Sequence, residues 1–389
     1  MRQCCCSSGA RARSRRSRSG AKRQSWQRPE GGVRDESWRP SRLGLTEVVD
    51  EFPAPGTNLA VRRATLANVT ALSNRLTNAL DIRYPIISAP MAFVGGGALA
   101  AAVSRAGGLG LIGGGYGDPE WIEEQFQAAQ GERVGVGFIT WSAARRPSVM
   151  DAALAHRPAA VMLSFGDPLT FAADIKAAGA ILMCQCQNLG HVRAALDAEA
   201  DIVVAQGSEA GGHGADRGTF TLVPEVADLL AHTSPDTMLV AAGGVADGRG
   251  LAAAVTLGAD GVLVGTRLCA SQESLVKPLH RQAIVESNGD ATMRTHLADI
   301  VRELPWPQEF TARIQRNGFV NRWHGRESDL AQQVAIEGPR YLQAFADGDP
   351  EDTGVWFGEA AGLIDAIEPA ATIVERMVTE ATHLRRSSN

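Results

Sequence analysis

The stretch Asp201-Ile-Val-Val-Ala-Gln206-Gly-Ser-Glu-Ala-Gly-Gly-His213-Gly214 gives the clearest view of how this chain is organised. Its first residues are apolar and β-branched, as in a parallel strand that is buried on both faces. Gly211 and Gly212 can adopt backbone angles closed to other residues, and the N–H groups of such a turn can hold a phosphate. His213 is the one side chain of the stretch that ordinarily titrates near neutral pH. The stretch therefore predicts a strand whose carboxyl end carries a phosphate site beside a base, as in a cofactor enzyme.

Similar apolar runs recur along the chain, and segments of helical length lie between them. Eight runs are candidate strands, at residues 86–89, 108–112, 134–138, 160–164, 180–184, 202–205, 238–242 and 261–265. Alternating strands and helices form right-handed βαβ units and a parallel sheet. Eight units fit a closed barrel better than an open sheet. The predicted fold class is therefore α/β, a (β/α)8 TIM barrel with a small appended helical region after strand eight.

The chain divides into four predicted parts. Residues 1–70 are a basic N-terminal extension that we expect to be disordered, because its first 44 residues are mainly Arg, Ser and Gly with little apolar content. Residues 71–270 hold the strands and helices of the barrel. Residues 271–349, which include Pro305-Trp306-Pro307, are a predicted helical insertion, and residues 350–389 supply the C-terminal helix that closes the barrel.

Charge and cysteine content exclude several classes of function. Residues 1–43 carry 12 Lys or Arg and 3 Asp or Glu, whereas the remaining residues carry 26 Lys or Arg and 40 Asp or Glu. An acidic body argues against nucleic-acid binding, and no run approaches the roughly 18 apolar residues that cross a bilayer. The six cysteines lack both zinc spacing and a disulfide pattern. We therefore expect no metal, reduced thiols and a cytoplasmic location.

Several interpretations of the N-terminal extension stay open. Its Arg- and Ser-rich, acid-poor start resembles an organelle transit peptide, which would make the protein organelle-targeted. A basic arm could also contact nucleic acid, and Cys4-Cys5-Cys6 could carry a lipid. The simplest interpretation is an extension with no role in the fold.

Unusual residues occur at the predicted carboxyl ends of the strands, where TIM barrels place their binding and catalytic groups. A phosphate commonly binds between the loops after strands seven and eight, and both loops begin here with glycine. Any one of these glycines could simply form a tight turn, but the complete set favours a ligand site. The predicted residues are His213 for catalysis and, for the cofactor, Ala89, Pro90, Met91, Gly137, Gln185, Gln206, Gly211, Gly212, Gly243, Gly244, Gly265 and Thr266.

One glycine motif invites a different interpretation. Gly95-Gly-Gly97-Ala-Leu-Ala100 matches the dinucleotide-binding fingerprint with Ala in last place. However, Pro90 and five further residues separate it from the first strand, and no acidic residue of a second strand follows about 20 positions on. We therefore reject a Rossmann site here. Gly137, inside the third strand, instead indicates a close approach to a ligand.

With these residues in view, the chain resembles the nitronate monooxygenases, formerly called 2-nitropropane dioxygenases. The resemblance rests on five segments in order, with a sixth that resembles the family's tail: residues 84–91, 106–110, 206–214, 241–249, 258–267 and 356–362. Taken jointly these segments are specific. Residues 1–70 lie outside the resemblance.

The resemblance implies a barrel that holds FMN without a covalent bond, with the isoalloxazine over residues 89–91. Gln206 and Gly211 match flavin-contacting positions, and residues 243–244 and 265–266 match the phosphate grip. His213 matches the family's catalytic histidine. One position departs from the pattern, because many relatives carry Asn at the end of strand three and this chain has Gly137. The contact to the flavin pyrimidine and the substrate subclass are therefore left open.

The implied reaction is the oxidation of an alkyl nitronate by O2, which gives a carbonyl compound and nitrite while the flavin carries the electrons. His213 would act as general base when a neutral nitroalkane must first lose its α-proton, and its protonated form could stabilise an anionic substrate or flavin. The expected partners are a small-molecule nitronate and O2, with no nucleic acid and no membrane. A homo-oligomer is compatible with the sequence.

Three other functions share parts of this pattern. The nearest is an FMN-dependent NAD(P)H:quinone or enoyl-thioester reductase, which would have the same glycine–histidine loop. A second is a flavin-binding protein without turnover, and a third is a flavin-free phosphate-binding barrel such as an isomerase or aldolase. The lack of a Lys at a strand end suited to a Schiff base counts against an aldolase.

Overall fold

Eight parallel strands form the main sheet of the structure, a computed structural model that describes residues 72–387. They are β1 (Ile86–Ser88), β2 (Leu111–Gly115), β3 (Gly135–Ile139), β4 (Ala160–Ser164), β5 (Ile181–Cys186), β6 (Ile202–Gln206), β8 (Met238–Ala242) and β9 (Gly261–Val264), while β7 (Gly212–Gly214) belongs to a second sheet. The predictions for residues 1–70 concern residues outside the described part of the chain.

The main sheet curves until its two edges meet. Its strand order is β1-β9-β8-β6-β5-β4-β3-β2, and all neighbours pair in parallel. At the seam, Ile87 forms a parallel bridge with Leu109, and the Leu109 N–H donates to the Ile86 carbonyl at 3.0 Å. The strands therefore form a nearly closed barrel, and the predicted fold class is confirmed.

Alternating side chains of each strand face two buried layers, which explains why the strands are apolar throughout. In β6, Val203 packs in the layer between strands and helices, whereas Val204 packs in the cluster inside the barrel. Leu76 and Leu80 join the inner cluster from the helix Arg75–Leu80, which precedes β1. This helix fills the end of the barrel opposite the carboxyl ends of the strands.

The second strand differs from its predicted position. The sequence predicts residues 108–112, whereas β2 covers Leu111–Gly115 and includes three consecutive glycines. A Cβ atom on Gly113 would lie 2.2 Å from the Met91 carbonyl oxygen, so the strand needs glycine where the loop after β1 crosses it. Glycine normally weakens a strand, and the prediction therefore ended too early.

Helices lie between the strands and after the last of them. They are α1 (Arg75–Leu80), α2 (Gly97–Arg105), α3 (Pro119–Ala128), α4 (Thr140–Ala143), α5 (Ser148–Ala155), α6 (Ala172–Ala177), α7 (Leu189–Asp197), α8 (Thr219–Thr233), α9 (Gly248–Thr256), α10 (Thr266–Cys269), α11 (Pro278–Val285), α12 (Leu297–Val301), α13 (Gly318–Trp323), α14 (Glu327–Gln332), α15 (Val334–Asp347) and α16 (Ala370–Ser387). The start of α3 shows the local signals well, since Asp118 caps the Glu120 N–H at 3.1 Å and Pro119 occupies the first turn.

The glycine motif before α2 has a packing role. A Cβ atom on Gly97 would lie 1.8 Å from the Gln125 carbonyl oxygen, and the Gly97 N–H donates to Gln125 Oε1 at 3.0 Å. Glycine therefore lets α2 approach α3 closely. This contact accounts for the motif without a dinucleotide.

Residues 271–349, called here the appended region, contain the expected helices and two strands that the sequence analysis missed. β10 (Thr292–Thr295) and β11 (Thr311–Gln315) pair in antiparallel fashion, and β11 also pairs with β7. Both strands alternate, with Met293 and Ile314 buried among the helices of the region. The appended region is therefore joined by hydrogen bonds to the loop after β6. The four-part division of the chain stays a prediction.

The last helix, α16, packs against α9 and α2 and so fills the gap between the last and first units of the barrel. Met377 and Ala381 are buried in this contact, and Glu380 Oε2 accepts the Gly248 N–H at 2.8 Å. The sequence predicted this closing helix within residues 350–389. Residues Glu359–Leu363 form a 3-10 turn before α16.

Two features that the described residues lack bear on function. Over residues 72–387 there is no helix long and apolar enough to cross a membrane. The same part of the chain has no cluster of His, Cys, Asp and Glu that could hold a metal ion. Its three cysteines, Cys184, Cys186 and Cys269, are free and buried, and burial raises the pKa of the Cys184 and Cys269 thiols to about 12.

Candidate active site

A cavity of about 250 Å³ opens at the carboxyl ends of the barrel strands. Apolar and aromatic side chains form most of its wall, with a few polar groups among them. All thirteen residues predicted from the sequence line this cavity: Ala89, Pro90, Met91, Gly137, Gln185, Gln206, Gly211, Gly212, His213, Gly243, Gly244, Gly265 and Thr266. The structure therefore brings the predicted set together, while the role of each residue stays a prediction.

The turns after β8 and β9 present unpaired backbone donors. Gly243 and Gly244 have φ values of +95° and +78°, and a Cβ atom on Gly243 would lie 2.8 Å from the Gly207 carbonyl oxygen. The N–H groups of Gly244, Gly265 and Thr266 donate to no residue in the described part of the chain. Converging N–H groups of this kind suit a phosphate.

Thr266 also ties this turn to the C-terminal segment. Its hydroxyl accepts the Gly358 N–H at 2.9 Å, which fixes the side chain at the start of α10. Next to it, a Cβ atom on Gly265 would meet Ala89 Cβ and Met91 Sδ only at 3.7 Å. Space therefore remains between the turn after β9 and the segment after β1.

The segment after β1 forms one wall of the cavity. Met91 Sδ lies 3.2 Å from the Cys269 thiol, and Pro90 covers Gly137 of β3. A Cβ atom on Gly137 would be 2.3 Å from Pro90 Cγ. The glycine that the sequence analysis attributed to close approach of a ligand is thus already required by close approach of Pro90.

Three glutamine side chains form a connected amide network at the ends of β5 and β6. Gln206 Oε1 accepts from Gln185 Nε2 and from Gln187 Nε2, each at 3.0 Å. Gln206 Nε2 donates to the His213 carbonyl at 3.2 Å. The Gln206 oxygen is therefore satisfied within the protein, and one Gln206 N–H and the Gln185 oxygen remain for a ligand. Gln187, which is fully buried, was not anticipated from the sequence.

The two glycines before His213 have different reasons to be glycine. Gly212 has a φ of +74° with open space where a side chain would be. Gly211 lacks a positive φ, but a Cβ atom there would lie 2.5 Å from the Phe357 carbonyl carbon. Of the two glycines, only Gly212 adopts a backbone angle that is unfavourable for other residues. Gly211 is instead required by the close passage of the C-terminal segment.

His213 lies on β7, opposite Ala312 of β11. Its Nε2 atom is 2.9 Å and 3.0 Å from the two carboxylate oxygens of Asp299, and its ring stacks on Trp306 with 3.4 Å between ring centroids. Burial lowers the pKa of His213 below its ordinary value, and the Asp299 carboxylate offsets part of that effect. Burial therefore disfavours the protonated imidazole, and a carboxylate lies at one of its nitrogens.

The appended region supplies two residues at the cavity that the sequence analysis missed. Asp299 is 3 % exposed and belongs to α12, and its Oδ1 also accepts from Arg302 Nη2 at 3.1 Å. Arg302 lines the cavity, with its guanidinium 5.0 Å from the centre of the Trp356 ring. Asp299 follows His213 by 86 positions, so no local pattern connects them. The Pro305-Trp306-Pro307 segment was the only visible signal near these residues.

Two arginines, the buried Arg313 and the half-buried Arg294, fix the loop that leads to His213. Arg313 Nε and Arg294 Nε donate to the Ser208 carbonyl at 2.9 Å and 3.2 Å. Arg313 also pairs with Glu359 at 2.8 Å. Burial lowers the pKa of Arg294 to about 10, because the charged guanidinium loses water and faces Arg313. The glycine–histidine loop is thus held from the appended region as well as from the barrel.

Comparison with known proteins agrees with this geometry. A nitronate monooxygenase npaC from Metarhizium robertsii is 37% identical over 332 residues, which cover 76% of this chain and 90% of the relative. The structure of FabK from Thermotoga maritima superposes with a TM-score of 0.72 and 31% identity, over 81% of this chain and 98% of that one. The structure of a nitroalkane oxidase from Streptomyces ansochromogenes superposes with a TM-score of 0.68 and 26% identity, over 81% of this chain and 100% of that one.

A family model also matches the chain. The model described as nitronate monooxygenase matches residues 73–133 and 139–380. These residues include every predicted site residue except Gly137, which lies in the unmatched stretch 134–138. This family comprises flavin-dependent oxidoreductases that act on small molecules. The family match covers most of the described barrel, the appended region and α16. The chain belongs to the nitronate monooxygenase family.

Proposed function

We propose that this protein uses FMN to oxidise alkyl nitronates with O2, giving a carbonyl compound and nitrite, and that it also accepts neutral nitroalkanes. The observation that carries the proposal is the position of His213 in the same cavity as the unpaired N–H groups of Gly244, Gly265 and Thr266. A phosphate cradle and a buried base within one cavity suit a phosphate-bearing cofactor beside a substrate that must lose a proton.

The residues fit FMN in two respects. The turns at residues 243–244 and 265–266 would hold the phosphate, and the ring would lie along residues 89–91, where Gly265 leaves space. The remaining amide groups of Gln185 and Gln206 would meet polar atoms of the ring. When bound, FMN would accept electrons from the nitronate and pass them to O2.

The side chains would then control protons and charge. His213 would take the α-proton of a neutral nitroalkane, a step that a preformed nitronate does not need. The Arg302 guanidinium lines the same cavity and would attract the nitronate anion. Trp306, Phe165 and Trp356 would exclude water from the reacting atoms.

The expected partners are a small-molecule nitronate and O2. Association of the chain into a homo-oligomer and its location in the cytoplasm or in an organelle stay predictions from the sequence. The acidic charge of residues 44–389 supports a partner other than nucleic acid.

The test is anaerobic mixing of the purified protein with ethyl nitronate, followed by its visible spectrum. We expect flavin absorbance that bleaches, then recovers with release of nitrite when air is admitted. Flavin absorbance that does not change with the nitronate but is bleached by NADH or NADPH would favour the reductase alternative. A colourless protein that gains no flavin when incubated with FMN would contradict the cofactor proposal.

A further inference from the structure

We propose that Asp299 is the positioning residue that decides which nitrogen of His213 acts as the base. The inference rests on the proposed function and deepens it. The carboxylate holds the proton of the neutral imidazole on Nε2, which leaves Nδ1 as the atom that removes the α-proton of a nitroalkane.

The contact between the two side chains is close and shielded. Both carboxylate oxygens of Asp299 lie within 3.0 Å of His213 Nε2, and the two side chains are 4% and 8% exposed. An ionised carboxylate can only accept hydrogen bonds. Nε2 must therefore carry a hydrogen, and in a neutral ring the other nitrogen has none.

The second nitrogen is available to a substrate. Nδ1 of His213 forms no hydrogen bond with the described residues, and it is not among their fully buried atoms without a partner. Since His213 lines the cavity, Nδ1 is the ring nitrogen that the cavity can reach. Trp306 stacks on the ring at an interplanar angle of 6° and prevents it from turning over freely.

The charges around His213 allow the proton transfer in this direction. The C–H bond of the nitroalkane breaks, its proton moves to Nδ1, and its electron pair delocalises into the nitro group to form the nitronate. The product is an imidazolium, which Asp299 stabilises directly. Arg302 and Arg294 oppose it, and burial is the largest effect that keeps the free ring neutral.

Asp299 is held in place from its other side. Arg302 Nη2 donates to Asp299 Oδ1 at 3.1 Å, and Arg302 Nε donates to the Ala298 carbonyl at 2.7 Å. The Arg302 guanidinium thus fixes the Asp299 carboxylate on the side away from the imidazole. An orienting group of this kind acts on the base without touching the substrate.

The first experiment measures the tautomer itself. In protein labelled with 15N-histidine, the His213 signals, assigned by their loss in His213→Asn, should show hydrogen on Nε2 and none on Nδ1 near pH 7. The measurement needs no turnover, so it decides the position of the proton even if the nitronate reaction fails. Hydrogen on Nδ1 in the parent protein would overturn the proposal.

The second experiment compares Asp299→Asn with Asp329→Asn, an exposed carboxylate of the same region that pairs with Arg326. For Asp299→Asn we expect nitroethane turnover to fall about 10-fold to 100-fold, and the low-pH limb of kcat/KM to move to lower pH, because the imidazolium loses its carboxylate. Turnover of preformed ethyl nitronate should change much less. Asp329→Asn should leave the turnover of both substrates and the low-pH limb of kcat/KM unchanged.

A merely structural role for Asp299 would give a different pattern. In that case Asp299→Asn would reduce the turnover of nitroethane and of ethyl nitronate equally and leave the low-pH limb of kcat/KM in place. That result would reject the proposal. Should Asp299→Asn fail to fold, Arg302→Gln provides the alternative, since it removes the other partner of Asp299. Arg302→Gln should keep hydrogen on His213 Nε2, and a shift of that hydrogen to Nδ1 would count against Asp299 as the deciding group.

Discussion

The barrel and the appended region contribute to the cavity in different ways. The barrel offers backbone groups, namely the turns after β8 and β9 with their unpaired N–H donors. The appended region offers side chains, namely Asp299, Arg302 and Trp306 around His213. Under the proposed function, cofactor binding and proton transfer therefore depend on separate parts of the chain. Each can be disturbed while the other is kept.

The largest effect should follow from removing the base. His213→Asn should keep its flavin and lose about 10²-fold to 10⁴-fold in turnover of nitroethane, because general-base assistance disappears. Steady-state nitrite release at matched flavin content measures it. Ethyl nitronate serves as the control substrate, since its α-proton is already gone. Undiminished turnover of nitroethane would show that His213 is not the base.

Damage on the barrel side should instead remove the cofactor. Gly243→Ala places a Cβ 2.8 Å from the Gly207 carbonyl oxygen at a φ of +95°, so the turn must move and flavin content should fall by more than half. The control is Gly131→Ala, which has a φ of +77° and nothing within 4 Å of the new Cβ. That variant should lose only about 1 kcal/mol of stability and keep its flavin. Equal flavin content in both variants would argue against a phosphate at this turn.

A smaller effect is expected for the cation of the appended region. Arg302→Gln should raise the KM for ethyl nitronate about tenfold, equivalent to about 1.4 kcal/mol, because the anion loses its countercharge. Arg302→Lys keeps the charge and should retain most of the affinity. Flavin content should stay constant in both. If both variants have the KM of the parent, the anion must bind elsewhere in the cavity.

The smallest effect belongs to the opposite end of the barrel. Arg75 pairs with Asp260 at 2.8 Å, but its side chain is 45% exposed. Arg75→Ala should therefore cost about 0.5 kcal/mol in the free energy of unfolding and leave both substrates unaffected. Thermal and denaturant unfolding measure it. A change in turnover here would mean that the two ends of the barrel are coupled.

Much of the barrel was visible in the sequence because parallel strands are apolar on both faces. The predicted strands 160–164 and 238–242 coincide with β4 and β8. Strand β2 was misplaced because Gly113 and its neighbours look like a turn, although they allow the chain after β1 to pass. A local sequence pattern predicts the burial of a strand well, but it does not predict where a distant backbone segment will pass close to that strand.

The candidate site was predictable only where it depends on strand ends. The glycines of the cradle stand directly after β8 and β9, and His213 follows β6 in the same loop as Gly211, so their convergence at one end of the barrel follows from the fold. Asp299 could not be found in the same way, since it lies on the short helix α12, 86 positions after the histidine. The strands β10 and β11 were also missed, because each is short and lies among helices.

The pairing of β7 with β11 has a consequence for how this active site can change. Gly212, His213 and Gly214 face Arg313, Ala312 and Thr311, so His213 belongs to an antiparallel ladder whose other strand comes from the appended region. A slip of one residue in such a ladder turns every side chain to the opposite face. A shift of this register would therefore separate His213 from Asp299, while the turns after β8 and β9 would keep their backbone donors.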